Sequence, residues 1–214
     1  MKALLYKQFR LVCHPMTLVF PFFGVMLLIP SYPYTVAFFY VMLGLFFSFM
    51  NGREQRDIYF SAQLPIRKRD TVKASVLFVW IIELASLLIA LPFAVLSCRI
   101  NPLGGNAVGL EPNAALFAAA LVLYAVFNGV FLPSFYKTAY KVGTAFLKAV
   151  VPMTVVLFLC EALPHVPAMA FLEDCTAAGQ LRLLPLLLMA VAIYSVGLWL
   201  TYRKAAQNYE KVDL

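Results

Sequence analysis

Charge is what this chain has least of: 13% of its 214 residues are Asp, Glu, Lys or Arg, while 63% are hydrophobic. Ordinary soluble domains carry roughly a quarter charged residues and need a polar face on every helix, whereas here segment after segment is apolar all the way round. That excludes a water-soluble fold, and nothing marks off a second, soluble domain. Histidine is scarce as well, with only His14 and His165, and these fall beyond opposite ends of the apolar runs, too far apart to share a site. His165 follows Glu161 by four residues, but Pro164 intervenes and no His-Glu-x-x-His pattern is present. Cys13, Cys98, Cys160 and Cys175 lack metal-ligand spacing. None of the ten glycines precedes a lysine, so the Gly-x4-Gly-Lys-Ser/Thr phosphate loop is missing and ATP hydrolysis by that route is excluded. Missing too are stretches of about ten residues alternating in polarity, the mark of a membrane barrel.

What the chain does have is long apolar runs. In lipid each backbone N–H and C=O must find an internal partner, so such runs fold as helices. The expectation is one all-α membrane domain over residues 1–214, with six spans near 17–31, 34–50, 74–97, 114–135, 149–163 and 183–202. The first, second and fifth fall short of the roughly 20 residues that cross a bilayer, so each should extend into a flank such as 11–16 or 142–148. Pro30-Ser31-Tyr32-Pro33 interrupts the first two and predicts a tight hairpin.

Orientation follows from Lys and Arg, which are kept on the cytoplasmic side of short loops. Lys2, Lys7 and Arg10 precede the first span; Arg53, Arg56, Arg67, Lys68, Arg69 and Lys73 lie between the second and third; Lys137, Lys141 and Lys148 lie between the fourth and fifth; Arg203, Lys204 and Lys211 follow the sixth. These are 15 of the 17 basic residues, leaving Arg99 and Arg182 for the other face. Both termini are therefore expected in the cytoplasm, and the net charge of +7 belongs to the inner membrane surface rather than to nucleic acid. Cys98, Cys160 and Cys175 then lie toward the outer side, where a disulfide is open, and buried thiols are the plainer expectation. Without an Ala-x-Ala cleavage pattern the N-terminus is expected to stay attached, and residues 1–12 are expected either to lie as a helix in the headgroup plane before His14-Pro15 bends the chain or simply to extend the first span.

The segment 51–73 is the longest and most charged connection. A short helix is expected from Arg53 to Gln63, with Ile58, Tyr59 and Ala62 on one side, stopping before Pro65; Asp70 or Thr71 should then cap the third span. A solvated loop touching only headgroups is the plainer reading.

Glu54, followed after ten residues by Leu64-Pro65-Ile66-Arg67-Lys68 and then by Asp70 and Lys73 before a hydrophobic span, resembles the ABC-2 type permeases, the membrane subunits of bacterial ABC exporters. The basic N-terminal stretch, six spans and the tail ending Tyr209-Glu-Lys-Val-Asp-Leu214 agree with that layout. The resemblance implies a permease in the bacterial cytoplasmic membrane that pairs with an identical or different second permease and binds a separate ATP-binding subunit. No cofactor would be bound directly, with ATP and Mg on that partner. It also implies a coupling helix between the second and third spans, with Arg53, Glu54, Arg56, Asp57, Tyr59, Leu64, Pro65, Arg67 and Lys68 meeting the ATPase. Residues 164–172, apolar but too short to cross, resemble the family's outer re-entrant segment; an external loop resting on the membrane is the other reading. The implied cargo is hydrophobic or amphipathic: a peptide, a lipid or a drug-like molecule. A small channel, an intramembrane enzyme and a non-transporting regulatory subunit are the alternatives.

Within the spans, Glu83 lies about 13 Å from the inner end of the third, and Asn128 on the fourth reaches a similar depth. Polar groups in hydrocarbon need partners, so the two are expected either to pair or to line a pathway. Glu161, near the outer end of the fifth span, is expected to reach the headgroups. Small residues four apart, Gly44/Ser48, Ala114/Ala118, Ala115/Ala119 and Ala125/Gly129, allow close helix packing.

Overall fold

The computed structural model describes residues 1–30, 32–100, 106 and 108–213. Ser31, where the first span was expected to end, and Leu214, the end of the tail, lie outside the described residues. The described residues are helical, without a strand. Five helices are long and apolar enough to cross a membrane, and a bent pair near the N-terminus brings the number to six if counted as one span.

Helix α1, Lys2–Lys7, continues through a wide π turn at Gln8–Val12, after which the chain bends by 107° into Pro15–Leu28. His14 is extended because a proline follows, and its Nδ1 accepts from the Met16 N–H at 3.2 Å. Pro15 opens helix α2, Pro15–Val19, in the first turn, where a missing N–H costs no intrahelical bond. The first span therefore gains no residues from 11–13, because this break precedes it. Its length is made up by winding: beyond α2 the chain tightens to a 3-10 helix at Phe20–Leu28, which rises about 2 Å per residue instead of about 1.5. The five and nine residues of the two pieces advance about 25 Å, near the ~30 Å hydrocarbon thickness of a bilayer.

There follow α3 (Thr35–Glu54), α4 (Asp57–Gln63), α5 (Lys68–Ile100), α6 (Ala114–Tyr136), α7 (Val142–Ala162), 3-10 turns at Leu163–His165 and Pro167–Glu173, and α8 (Ala177–Glu210). The segment 51–73 is thus mostly helix, with two short links. Because α3 runs on to Glu54 and Arg56 is left-handed (φ 52°, ψ 34°), α4 starts at Asp57 rather than Arg53. Asp70 and Thr71 lie inside the first turn of α5 rather than ahead of it, and the Asp70 carboxylate still favours the helix N-terminus through the dipole.

Packing closes a ring. The first span lies on α5 and α3, α5 on α8, α8 on α6, α6 on α7, and α7 on α3. Helix α6 is the most enclosed: 67% of its apolar window is buried, against 17% for α8. Accordingly α7 and α8 turn wide apolar faces outward, with Val151, Phe158, Leu188 and Trp199 exposed, as suits a hydrocarbon solvent.

Small residues set the closest approaches. A Cβ on Gly24 would stand 2.8 Å from Ala90 Cα, so only glycine lets the first span reach α5. Gly44 and Ser48 on α3 receive the first span: Thr17 Oγ1 donates to Gly44 O at 2.5 Å and lies 2.7 Å from Ser48 Oγ, which also accepts from the His14 N–H at 2.9 Å. Ala125 and Gly129 on α6 face Gly197 and Thr201 on α8. Between these seams an aromatic column fills the core, with the Phe49 ring 5.1 Å from Phe131 and 5.0 Å from Phe135, both edge-on.

Both chain ends lie at one end of the bundle. Gln8 Nε2 donates to Ser75 Oγ on α5 at 3.2 Å, and Arg69 at the start of α5 pairs with Glu210 at 2.5 Å. We call this the basic end, because it carries α1, α4, the α6–α7 link and the end of α8.

Candidate functional site

Helix α4 is the first candidate. Its inward side is Asp57, Ile58 and Ser61, all buried. Lys7 Nζ lies 2.7 Å from Asp57 Oδ1 and donates to Ser61 Oγ at 2.5 Å, so the N-terminal helix pins α4 through a largely enclosed ion pair. The burial pattern corrects the expected face: Ile58 points in, whereas Tyr59 and Ala62 point out. The inward register is set by Asp57 and Ser61, one turn apart, which follow Lys7 rather than apolarity. Tyr59 and Phe60 are exposed at 47% and 50%, an unusual display for two aromatic rings on a seven-residue helix.

Four of the nine residues expected to meet the ATPase come together. A cleft of about 840 Å³ is lined by Arg53, Glu54, Gln55, Arg56, Tyr59, Phe60, Gln63 and Tyr140. Tyr140 arrives from the α6–α7 link, and the Arg53 guanidinium lies 5.7 Å from its ring centre. The cleft therefore has cations, a carboxylate and aromatic faces on one wall. Leu64, Pro65 and Arg67 are exposed beyond the C-terminal end of α4. Asp57 is spent on Lys7. Lys68 is also committed internally, donating to Val212 O at 2.6 Å and lying 5.7 Å from the Tyr209 ring centre.

The second candidate is a polar cluster deep in the bundle. Glu83 is fully buried on α5 and Asn128 on α6 is 1% exposed. Asn128 Nδ2 donates to both carboxyl oxygens of Glu83, at 2.9 and 3.0 Å, and Tyr194 Oη on α8 donates to Oε2 at 2.5 Å. One turn further along α5, Ser86 Oγ donates to Glu83 O at 2.6 Å and lies 2.8 Å from Tyr124 Oη. The carboxyl group therefore ties α5, α6 and α8 together by hydrogen bonds that hydrocarbon cannot replace. No cation pairs with Glu83 among the described residues.

At the other end of the bundle Glu161 departs from expectation. It is 8% exposed and does not reach outward. Oε1 accepts from the Thr35 N–H at 3.2 Å and from its hydroxyl, and Oε2 accepts from the Leu110 N–H at 3.0 Å. Thr35 is the first residue of α3, and Tyr34 supplies no side-chain cap. Helix α7 thus caps α3 from a distance: the carboxylate fills the place of a local cap and faces the positive end of the helix dipole. Nearby, burial raises the Glu111 carboxyl above its ordinary range. Hydrogen bonds from Thr176 hold Asp174 below its own.

Phe60, Ser61, Tyr140 and Tyr194 were not singled out in the sequence, and Lys7 entered only as one of the bases that set the orientation. Tyr194 carried the one available signal, a phenol in the middle of an apolar run instead of in the aromatic belt at its edge. Lys7 and Tyr140 had none, because their contacts join segments far apart in the chain.

Five helices long and apolar enough to cross a membrane, six if the bent N-terminal pair counts as one span, make this a multi-pass membrane protein. A family model described as ABC-2 family transporter protein matches residues 3–204, and the chain belongs to that family. Comparison with curated proteins and with solved structures finds no match. Permeases of this family pair in general with a separate ATP-binding subunit.

Proposed function

We propose that this chain is the permease subunit of an ABC-2 exporter in the bacterial cytoplasmic membrane, moving a hydrophobic or amphipathic substrate outward. ATP and Mg bind to a separate ATPase that docks on the basic end, which faces the cytoplasm together with both termini. The observation that carries this reading is the α4 cleft, where Arg53, Glu54, Arg56, Tyr59, Phe60 and Tyr140 offer both charge signs and open aromatic faces. Mixed charge with exposed aromatic rings suits a protein partner better than headgroups, which would select cations alone. Helix α4 acts as the coupling helix. Pinned to α1 through Lys7–Asp57 and separated from α5 by only four residues, Leu64 to Arg67, it passes a push from the ATPase into two neighbouring elements as a rigid body. The π-ended α1 lies in the membrane interface, and the 3-10 turns from Leu163 to Glu173 re-enter the outer leaflet. Two permeases, identical or different, enclose the pathway between them.

The test is assembly with an ABC-type ATPase, sought first in the reading frames that neighbour this chain's own. Charge reversal at Glu54 and Arg56 together is expected to cut permease-stimulated ATP hydrolysis at least fivefold while membrane insertion stays normal. Wild-type assembly and transport after residues 53–67 are scrambled would overturn the docking role.

A further inference from the structure

Cys98 and Cys175 meet at the end of the bundle away from α4. Cys98 sits in the last turns of α5 and Cys175 just ahead of α8, 77 residues further on, yet their sulfurs are 3.2 Å apart. We propose that these two thiols form a disulfide that staples the end of α5 to the start of α8. Sulfurs in a disulfide are about 2.05 Å apart, so the bond needs the two sulfurs to close by only about 1.2 Å.

The backbone on the α8 side is already fixed. Asn113 Nδ2 donates to Leu172 O at 2.6 Å and to Asp174 O at 3.4 Å, which ties the segment before Cys175 to the start of α6. On its other side Thr176 caps α8, accepting from the Gly179 N–H at 3.1 Å, while its own N–H donates to Asp174 Oδ1 at 2.8 Å. Cys98 Sγ also approaches Pro112 O, at 3.5 Å, so neither residue must be drawn out of a mobile segment. A metal is a poor account of the pair: among the described residues no cluster of three or more His, Cys, Asp or Glu side chains stands close enough to hold an ion, and two thiolates alone do not complete a zinc site. The remaining cysteines, Cys13 and Cys160, are also free, but they belong to the first span's entry and to α7.

Compartment supplies the chemistry. The proposal rests on the orientation given above, in which this end, with Arg99 and Arg182 as its only basic residues, faces the oxidising outer side. There an extracytoplasmic protein disulfide is the oxidant. A thiolate of the pair attacks one of its sulfurs to give a mixed disulfide, and the second thiolate displaces it, forming the Cys98–Cys175 bond. The chain loses two electrons and two protons, and the oxidant leaves as a dithiol. The staple would close the polar rim of a cleft of about 710 Å³ lined by Leu91, Val95, Arg99, Phe117, Gln180 and Leu187 among others. Motion between α5 and α8 would then be confined to the basic end.

Cells are quenched in acid, and the full chain is dissolved in denaturant with N-ethylmaleimide and weighed by mass spectrometry. Two adducts before reduction, four after it, and a cross-linked peptide joining Cys98 to Cys175 are expected. In Cys98→Ser, the freed Cys175 should raise the count before reduction to three. Four adducts on the wild type without reduction would overturn the disulfide. A membrane-impermeant maleimide applied to intact cells carrying Cys98→Ser separates the causes of such a failure. Labelling of Cys175 from outside would leave the orientation standing and the staple alone refuted; labelling only after permeabilisation would remove both.

Discussion

A buried carboxyl group decides most at the scale of single residues. Glu83 receives hydrogen bonds from two other helices, so its removal strands Asn128 and Tyr194 as unpaired donors in an apolar interior. Glu83→Gln with Asn128→Ala, measured as a double-mutant cycle by denaturation in detergent micelles, is expected to give a coupling of about 1 kcal/mol. Additivity would mean that the pair contributes nothing. Glu161 works by different means, since it caps a helix that has no cap of its own. Glu161→Ala leaves the Thr35 and Leu110 N–H groups without their acceptor, and a loss of about 2 kcal/mol is expected. Glu161→Gln keeps an acceptor and should recover part of that loss, which the same unfolding measurement would show.

Among elements, α4 and the first span depend on contacts that are long-range in sequence. Lys7→Ala leaves Asp57 enclosed without its cation, for an expected cost on the order of 3 kcal/mol. The double variant Lys7→Ala/Asp57→Ala should cost less than the two single changes together, because no uncompensated charge remains. Unfolding of the three variants checks this, and limited proteolysis between α3 and α5 reports whether α4 has come loose. The first span is held by a different device, the bare backbone at Gly24. Gly24→Leu drives a side chain into Ala90 and is expected to separate the span from α5, lowering the unfolding temperature by several degrees, whereas Gly143→Ala, where a Cβ meets nothing within 4 Å, should change little.

For the whole molecule, the testable statement is the side on which the basic end lies. Single cysteines placed at Gln55 and at Val108, in a chain whose own four cysteines are changed to serine, should label from opposite sides of the membrane. Gln55 is expected to need permeabilisation and Val108 to label from outside. Labelling of Gln55 from outside would reverse the orientation and remove the ATPase-docking role of α4.

Composition by itself determined that this is a helical membrane protein, because a chain with so little charge and so many unbroken apolar runs has no other way to satisfy its backbone. The gathering of Lys and Arg into alternate connections likewise needed no structure to be seen. Segment 51–73 stood out in the sequence through charge, length and Pro65, but its inward face did not: apolar spacing favoured Ile58 with Tyr59 and Ala62, whereas the ion pair with Lys7 turned Asp57 and Ser61 inward. Glu83 and Asn128 could be matched in depth by counting residues, since rise per residue is a local property. Which way each faced, and that Tyr194 joins them, depended on how α5, α6 and α8 rotate against one another. Glu161 was misread for the same reason, as an ionisable residue near a span end looks ready for water until the tip of a neighbouring helix arrives to take it. Hydropathy and charge order are sums along the chain, and the sequence carries them whole. Partners across 45, 111 or 126 residues exist only once the helices have packed, because the packing decides which polar group loses its water and must find another.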